Sequence, residues 1–226
     1  MNIGIFEMDT RVPPKVHPKR RTFISGSDAK VIMGRDQTRL VRLWREKHGQ
    51  ALPQNLSKEQ IVQLRIVTED LNRNWYERLS GHTVQDVRRM VRHPILKWMR
   101  AEVGGRVRET GAVFHASVLP SGHFSEPHAA NAHMAQLQHS MWVMSARSAL
   151  LSIITGDGKL IEMTVLSDPL YQHLLLTAEK KFLRCVERGE PPVLFGIEVP
   201  RPNLDSIRVT DVFNTDQWAN LAASHL

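Results

Sequence analysis

The chain has 226 residues, of which 42% are hydrophobic and 23% are charged. These proportions are typical of a folded globular protein, and they exclude collagen, a coiled coil and a fully disordered chain. Thirty Lys and Arg residues against 23 Asp and Glu give a formal net charge of +7, which favours a polyanionic partner such as nucleic acid.

The sequence also indicates the compartment in which the protein works. No apolar run approaches the roughly 20 residues of a membrane span, and the N-terminal residues contain no apolar signal-peptide core. The single cysteine, Cys185, excludes an internal disulfide. We therefore expect a cytoplasmic protein without a membrane partner.

Residues 1–22 combine prolines with basic residues and show no apolar periodicity, a pattern typical of an extended, flexible arm. Such an arm can follow a phosphate backbone through residues such as Lys19, Arg20 and Arg21. It can equally be a solvated tail, and the pattern leaves both interpretations open.

Helix signals follow the arm and open a domain predicted over residues 23–199. Ser27 and Asp36 predict the starts of two short helices. Ser57 and Gln60 form a capping box ahead of the longest predicted helix, which ends at Gly81.

Three β-type segments come next, at residues 83–91, 98–107 and 112–118, and Gly104 interrupts the second of them. We expect the second and third segments to form adjacent antiparallel strands. A helix is then predicted over residues 134–146, where apolar side chains repeat at helical spacing.

A hairpin is predicted from strands at residues 149–155 and 160–166, with Gly156, Asp157 and Gly158 in its turn. A last long helix follows. The element order predicts an α/β (α+β) fold with a central mixed sheet flanked by helices. Residues 200–226 are expected to form a C-terminal extension with a short helix near residues 216–223.

Four segments carry a family resemblance. The run from His133 to Val143 reads HMAQLQHSMWV, and residues 24–29, 67–81 and 168–192 hold further motifs. In their order along the chain, the segments resemble the phage lambda exonuclease and YqaJ-type viral recombinase nucleases of the PD-(D/E)XK superfamily. The run at His133 is similar to that family's glutamine helix. The resemblance covers residues 23–195 and implies a restriction-endonuclease-like fold.

The resemblance also implies a catalytic pattern, in which a strand aspartate and a neighbouring glutamate hold Mg²⁺ and a lysine assists the attacking water. This sequence departs from that pattern. Gly104 stands at the aspartate, His115 at the glutamate and Ser117 at the lysine. Glu69 and Gln136 match the two supporting positions of the family.

Two interpretations of this departure compete. In the first, the site is lost and needs no cofactor, because glycine cannot bind a metal and serine supplies neither charge nor base. In the second, Glu102 and His115 hold Mg²⁺ or Mn²⁺, and Arg100 or Arg106 replaces the charge of the lysine. Nitrogen ligation suits Mn²⁺ better than Mg²⁺. We favour the first, since the second needs three compensations together.

Basic residues near the degenerate positions and in the arm are expected to contact the DNA backbone, although a solvated strand face is the alternative. These residues are Lys19, Arg20, Arg21, Arg88, Arg89, Arg92, Lys97, Arg100 and Arg106. With an ordinary pKa near 6.5, His115 is expected to favour DNA more as the pH falls toward 6. The other histidines of this region, His123, His128, His133 and His139, match no zinc spacing and are interpreted as surface residues.

Three functions remain from the sequence. The first is a phage- or prophage-type DNA-binding protein derived from a recombination exonuclease and now catalytically inactive. The second is an active metal-dependent 5′–3′ DNA exonuclease with relocated ligands, and the third is a protein-interaction scaffold without DNA activity. DNA is the expected partner. A single-strand annealing recombinase, an active nuclease and a second copy of the chain are further candidate partners.

Overall fold

The computed structural model describes residues 20–53, 59–119, 125–198 and 200–211. The predicted arm as far as Lys19, the predicted cap Ser57 and the predicted short helix near residues 216–223 lie outside these residues. Arg20–Thr22, the end of the predicted arm, forms one 3₁₀ turn.

Five α-helices form in the described part of the chain. They are α1 (Gly26–Ile32), α2 (Gln37–His48), α3 (Gln60–Ser80), α4 (Glu126–Met144) and α5 (Pro169–Arg188). The Asp36 carboxylate caps α2 and Gly81 ends α3, as predicted. The cap of α1 is Ser25 rather than the predicted Ser27. The predicted capping box of α3 is wrong, because Gln60 is the first helical residue and not the third.

Eight β-strands form in the same residues. They are β1 (Val84–Gln85), β2 (Arg89–Arg92), β3 (Arg100–Val103), β4 (Gly105–Val107), β5 (Val113–Leu119), β6 (Ser148–Thr155), β7 (Lys159–Leu166) and β8 (Leu204–Asp211). Six of them form one sheet in the order β1-β4-β5-β6-β7-β8. Strands β5 and β6 are parallel and the other neighbours are antiparallel, which confirms the predicted central mixed sheet.

The predicted strand 98–107 is divided at Gly104. Its second part, β4, pairs with β5 through Gly105 opposite Phe114 and Arg106 opposite Val113, as predicted. Its first part, β3, pairs with β2 in a separate two-stranded sheet, so the prediction that it also borders β5 is wrong. Because the two parts diverge at a bend, β5 beyond Phe114 pairs only with β6 in the described sheet. We call the region between β3 and β5 beyond this bend the cleft.

Two helical layers cover the central sheet. On one face, α4 and α5 bury the main core, to which α4 contributes the predicted stripe of Met134, Leu137 and Met141. On the other face lies α3, whose Asn72 side chain donates hydrogen bonds to the backbone oxygens of Ser117 (3.0 Å) and Ser152 (2.9 Å). These bonds tie α3 to the two parallel strands beside the cleft. None of the described helices combines the length and hydropathy that a membrane span requires.

Strand β8 was not predicted from the sequence. It pairs antiparallel with β7 along most of its length and forms one edge of the sheet. Its sequence, LDSIRVTD, mixes charged and apolar residues, and Val209 is 51% exposed even inside the strand. An edge strand has one neighbour and one partly solvated face, so it carries a weak hydrophobic signal.

Gly105 permits the close approach of β1 and β4. A Cβ atom at this position would lie 2.2 Å from Val84 Cγ1 and 3.1 Å from the Gln85 carbonyl oxygen. We therefore expect Gly105→Ala to lower the free energy of unfolding by roughly 1–3 kcal/mol, measured by urea denaturation. Combining it with Val84→Ala removes one clashing atom, so the double variant should lose less than the sum of the singles. Additive losses would contradict this explanation.

Candidate functional site

The cleft between β3 and β5 collects several of the predicted site residues. His115 and Ser117 lie two residues apart on β5 and therefore point to the same face, toward α4. The Ser117 hydroxyl oxygen lies 3.3 Å from His133 Nε2, and the ring centroids of His115 and His133 are 5.4 Å apart. Two of the three positions that the sequence predicts to be degenerate thus meet α4.

His133 was not predicted as a site residue, and its interpretation as a surface histidine is wrong. It is 7% exposed, and its Nδ1 atom is buried without a hydrogen-bond partner among the described residues. His139 is also fully buried, while His123 and the side chain of His128 lie outside the described residues. On α4 the polar residues between the apolar positions face the protein interior, which helical spacing alone does not reveal.

Both imidazoles at the cleft are neutral at physiological pH. Burial, followed by repulsion from Lys30 and Arg65, lowers the pKa of His133 to about 3. Burial, followed by the charges of His133, Arg65 and Lys30, holds the pKa of His115 well below its usual value. The expectation that His115 titrates near pH 6 is therefore wrong for the DNA-free protein, because that expectation assumed a solvated ring.

Lys30 and Arg65 are two cations at the cleft that the sequence analysis missed. Lys30 lies in the last turn of α1 and Arg65 on α3, and both residues are accessible to solvent over part of their surface. Partial burial, followed by repulsion from Arg65 and Arg39, lowers the pKa of Lys30. The position of Arg65 could have been predicted from its spacing. Arg65 precedes Glu69 by four residues and therefore lies on the same face of the helix.

Glu69, which the resemblance predicts to be a supporting acidic residue, lies on α3 between opposite charges. Burial raises the pKa of Glu69, Arg88 opposes that effect, and the carboxylates of Asp70 and Glu102 add to it. Arg88 Nε lies 3.6 Å from Glu69 Oε2, and Arg88 Nη2 lies 3.1 Å from Asp70 Oδ1. Because the charge of Glu102 contributes to the raised pKa of Glu69, this exposed residue of β3 lies near Glu69.

Gly104 and Gln136 each lie against a neighbouring element. A Cβ atom at Gly104 would lie 3.0 Å from the carbonyl oxygen of Phe114, the residue that precedes His115. Gln136 follows His133 by about one helical turn, and its Cγ atom lies 3.0 Å from the Cβ position of Gly26 on α1. Gln136 therefore stands where α4 packs against α1.

The predicted DNA-contacting cations differ in exposure and in whether they already contact other groups of the protein. Arg89 forms an ion pair with Asp86 at 2.8 Å, and the Lys97 ammonium donates to the Pro94 carbonyl oxygen. The Arg100 guanidinium lies 4.7 Å over the ring of Phe23, and its Nε atom is buried. Arg21 and Arg92 are exposed, Arg106 is half-buried and Arg88 is paired with Asp70. Lys19 and the side chain of Arg20 lie outside the described residues.

A buried ion pair fixes α4 behind the cleft. His139 Nδ1 lies 2.7 Å from Glu179 Oε1 of α5, and His139 Nε2 lies 2.9 Å from the Arg100 carbonyl oxygen of β3. Both partners are acceptors, so only the doubly protonated imidazole donates to both. Although burial alone lowers it, the Glu179 carboxylate raises the pKa of His139. The pair thus holds α4 against β3 and α5.

The residues at the cleft do not fit the Mg²⁺ ion that the nuclease fold implies. Mg²⁺ prefers oxygen ligands, whereas Gly104 has no side-chain donor and His115 and His133 offer nitrogen. The positive charges of Lys30 and Arg65 repel a metal cation. In the described part of the chain, no group of three His, Cys, Asp or Glu residues is placed to hold a metal ion.

Comparisons with known proteins identify relatives of this chain. The sequence matches the family described as the YqaJ-like viral recombinase domain over residues 16–156. It is 25% identical over 185 residues to the uncharacterized protein YqaJ of Bacillus subtilis (strain 168), and the match covers 79% of this chain. The chain spans 58% of the length of that relative.

Solved structures share the fold. An alkaline exonuclease, LHK-Exo from Laribacter hongkongensis, superposes with a TM-score of 0.61 at 16% sequence identity. The match covers 76% of this chain and 91% of the exonuclease chain. The same exonuclease in complex with dAMP superposes with a TM-score of 0.60 at 16% identity, over 75% of this chain and 90% of that one. At this identity the likeness shows a common architecture.

Proposed function

Because the chain belongs to the YqaJ-like viral recombinase domain family, we propose that it binds DNA in the cleft between β3 and β5 and does not cleave it. The resemblance seen in the sequence is thereby confirmed at the level of the family and of the exonuclease fold. One observation carries the proposal. His115, Ser117 and His133 meet at the cleft, and the resemblance implies a carboxylate at position 115 and a lysine at position 117.

The loss of cleavage follows from what these side chains can do. Hydrolysis of a phosphodiester needs an activated water molecule and neutralisation of the charge on the attacked phosphate. Serine is not a base at neutral pH, and His133, with a pKa of about 3, is a weak one. The guanidinium of Arg65 supplies charge but cannot accept a proton. The cleft therefore retains attraction for phosphate without a means of activating water.

DNA binding is supported by cations at and around the cleft. Within the described residues Lys30 and Arg65 have no carboxylate partner, so their charges are available to an anion. Arg88 and Arg89 are already paired with Asp70 and Asp86 and must exchange these partners for phosphates. Their net gain in DNA affinity is therefore smaller than that of an unpaired cation.

The salt dependence of DNA affinity tests this proposal. We expect tight binding of linear duplex DNA in EDTA, with no sequence preference. Replacing Arg88, Arg89 and Arg92 together by Ala, or deleting residues 1–22, should each make the plot of log affinity against log salt shallower. Each lost phosphate contact lowers the slope by about 0.9. Fluorescence anisotropy gives both quantities.

A matched control for this titration is Arg184→Ala, an exposed position on α5. It should leave the slope unchanged. Affinity that requires added metal, or a slope indifferent to both changes, would contradict the proposal and favour the protein-interaction scaffold.

A second candidate function, the active exonuclease with relocated ligands, rests on Glu102. Its charge raises the pKa of Glu69, so the two carboxylates are near enough to interact. In that case the unaltered protein degrades DNA with Mn²⁺ or Mg²⁺, and Glu102→Ala abolishes the activity. We expect no such activity. A recombinase, an active nuclease and a second copy of the chain stay predictions as protein partners.

A further inference from the structure

We propose that the cleft forms a phosphate-group binding site that needs no metal ion, with Lys30 and Arg65 at its mouth and His115 and His133 at its floor. The inference rests on the proposed function, because it assumes that DNA enters this cleft. It adds the residues that receive one phosphate group, none of which belongs to the predicted DNA-contacting set.

The floor of the site holds two polar atoms that lack a partner in the part of the chain that the structure describes. His133 is 93% buried, since only 7% of it is exposed, and its Nδ1 atom has no hydrogen-bond partner among the described residues. His115 Nε2 is buried and unpartnered in the same way. Buried polar groups are almost always hydrogen-bonded, so these two nitrogens point to a ligand.

Neutral imidazoles suit an acceptor ligand. A neutral ring carries one N–H group, and the Ser117 hydroxyl can donate to His133 Nε2, which leaves the proton of His133 on Nδ1. His115 can likewise hold its proton on Nε2. Each ring then offers one N–H donor to an oxygen atom in the cleft.

The mouth of the site holds two cations that form no ion pair with any described residue. Lys30 and Arg65 come from different helices, yet the charge of each lowers the pKa of both His115 and His133, so both charges act on the floor residues. Arg65 and Arg39 also repel Lys30, and no carboxylate in the described residues pairs with Lys30 or Arg65. An anion placed among these cations relieves their mutual repulsion.

The chemistry of the four residues selects phosphate over a metal ion. Ammonium, guanidinium and imidazole N–H groups all donate to phosphate oxygens, and charge-assisted bonds of this kind are the strong ones. A metal cation meets repulsion at the same place. The phosphate group can belong to the DNA backbone, to a DNA end or to free phosphate.

Inorganic phosphate tests the site itself. In EDTA, titration with phosphate should shift the imidazole ¹H–¹⁵N NMR signals of His115 and His133, while chloride at matched ionic strength should not. Lys30→Met with Arg65→Met should weaken phosphate binding at least about tenfold. The control pair, Lys181→Met with Arg184→Met at exposed positions of α5, should bind as the unaltered protein does.

Equal phosphate affinity in the two double variants, or histidine signals that respond only to Mn²⁺ or Zn²⁺, would overturn the inference. Unchanged His139 signals show that each variant is folded, because that residue is fully buried and bonded to Glu179 and to the backbone of β3.

Three DNAs identify the source of the phosphate. A closed circular duplex that shifts both histidine signals indicates a backbone phosphodiester, and a response limited to 5′-phosphorylated linear duplex over its 5′-hydroxyl form indicates a terminal phosphate. A response to phosphate and to none of the DNAs keeps the site but removes DNA from it. DNA binding without any histidine response overturns this inference and leaves the proposed function standing, whereas a complete lack of DNA binding overturns the proposed function.

Discussion

The triple variant Gly104→Asp, His115→Glu and Ser117→Lys is expected to cleave linear duplex DNA in the presence of Mg²⁺, whereas the unaltered protein does not. It restores two carboxylates and one lysine at the positions where the family's chemistry needs them. Residues that act as a unit are strongly non-additive, so each single change should do little. Release of acid-soluble nucleotides should exceed that of the unaltered protein on the order of a thousandfold.

The structure sets two demands on this variant. A Cβ at position 104 would lie 3.0 Å from the Phe114 carbonyl oxygen, so the backbone there must yield by a few tenths of an ångström. The new carboxylates must also outweigh the repulsion of Mg²⁺ by Lys30 and Arg65. Calorimetry of Mg²⁺ binding therefore accompanies the activity assay.

The matched control adds Glu69→Gln to the triple variant and should abolish the gained activity, because Glu69 is the retained acidic position. A folded triple variant that binds Mg²⁺ and still leaves DNA intact would show that Gly104, His115 and Ser117 do not correspond to the catalytic positions.

Glu179→Gln is expected to lower the free energy of unfolding by roughly 3–5 kcal/mol at pH 5, because it leaves the charge of His139 buried without its partner. Both residues are 0% exposed, and Glu179 Oε1 lies 2.7 Å from His139 Nδ1. Urea denaturation measures the loss. Glu187→Gln, at an exposed position of the same helix, serves as the control and should change stability by less than about 0.5 kcal/mol.

The pH dependence of this loss follows from the sign of the pKa shift. His139 has a raised pKa in the folded protein, so it binds its proton more tightly when folded. The stabilisation by the pair is fully present below the unfolded pKa of about 6.5 and is lost as the pH rises through the higher folded value. The difference between the variant and the unaltered protein should therefore shrink on going from pH 5 to alkaline pH.

His115 and His133 act in the opposite direction, since their lowered pKa values make the protein less stable as the pH falls below about 6.5. Both variants and the unaltered protein share this effect, so the comparison removes it. A difference that stays constant with pH would show that His139 is not charged in the folded protein.

Local signals in the sequence predicted most of the helices and the β6–β7 hairpin. Glycine caps and apolar spacing depend on a few neighbouring residues, and the structure places Gly81 and the stripe from Met134 as predicted. The divergence of β3 from β5 was not predictable in this way. The residues around Gly104 do not indicate which strand each half of the predicted strand 98–107 will pair with. Strand pairing is decided by contacts between residues distant in sequence.

The site was predicted in part. The family resemblance identified His115, Ser117 and Gln136, but it carried no information on what surrounds them. His133 and Lys30 join the cleft only through the packing of α4 and α1, so their burial, charge and lowered pKa values emerge from tertiary structure. The assumption of a solvated His115 failed for the same reason.

The central claim is that the protein binds DNA without metal and does not degrade it. One measurement tests it most directly: purified protein is mixed with end-labelled linear duplex DNA in EDTA, Mg²⁺ or Mn²⁺, and binding and release of nucleotides are scored in the same samples. We predict the same salt-sensitive binding in all three conditions and intact DNA throughout. Metal-dependent degradation by the unaltered protein, lost in Glu102→Ala, would contradict the account.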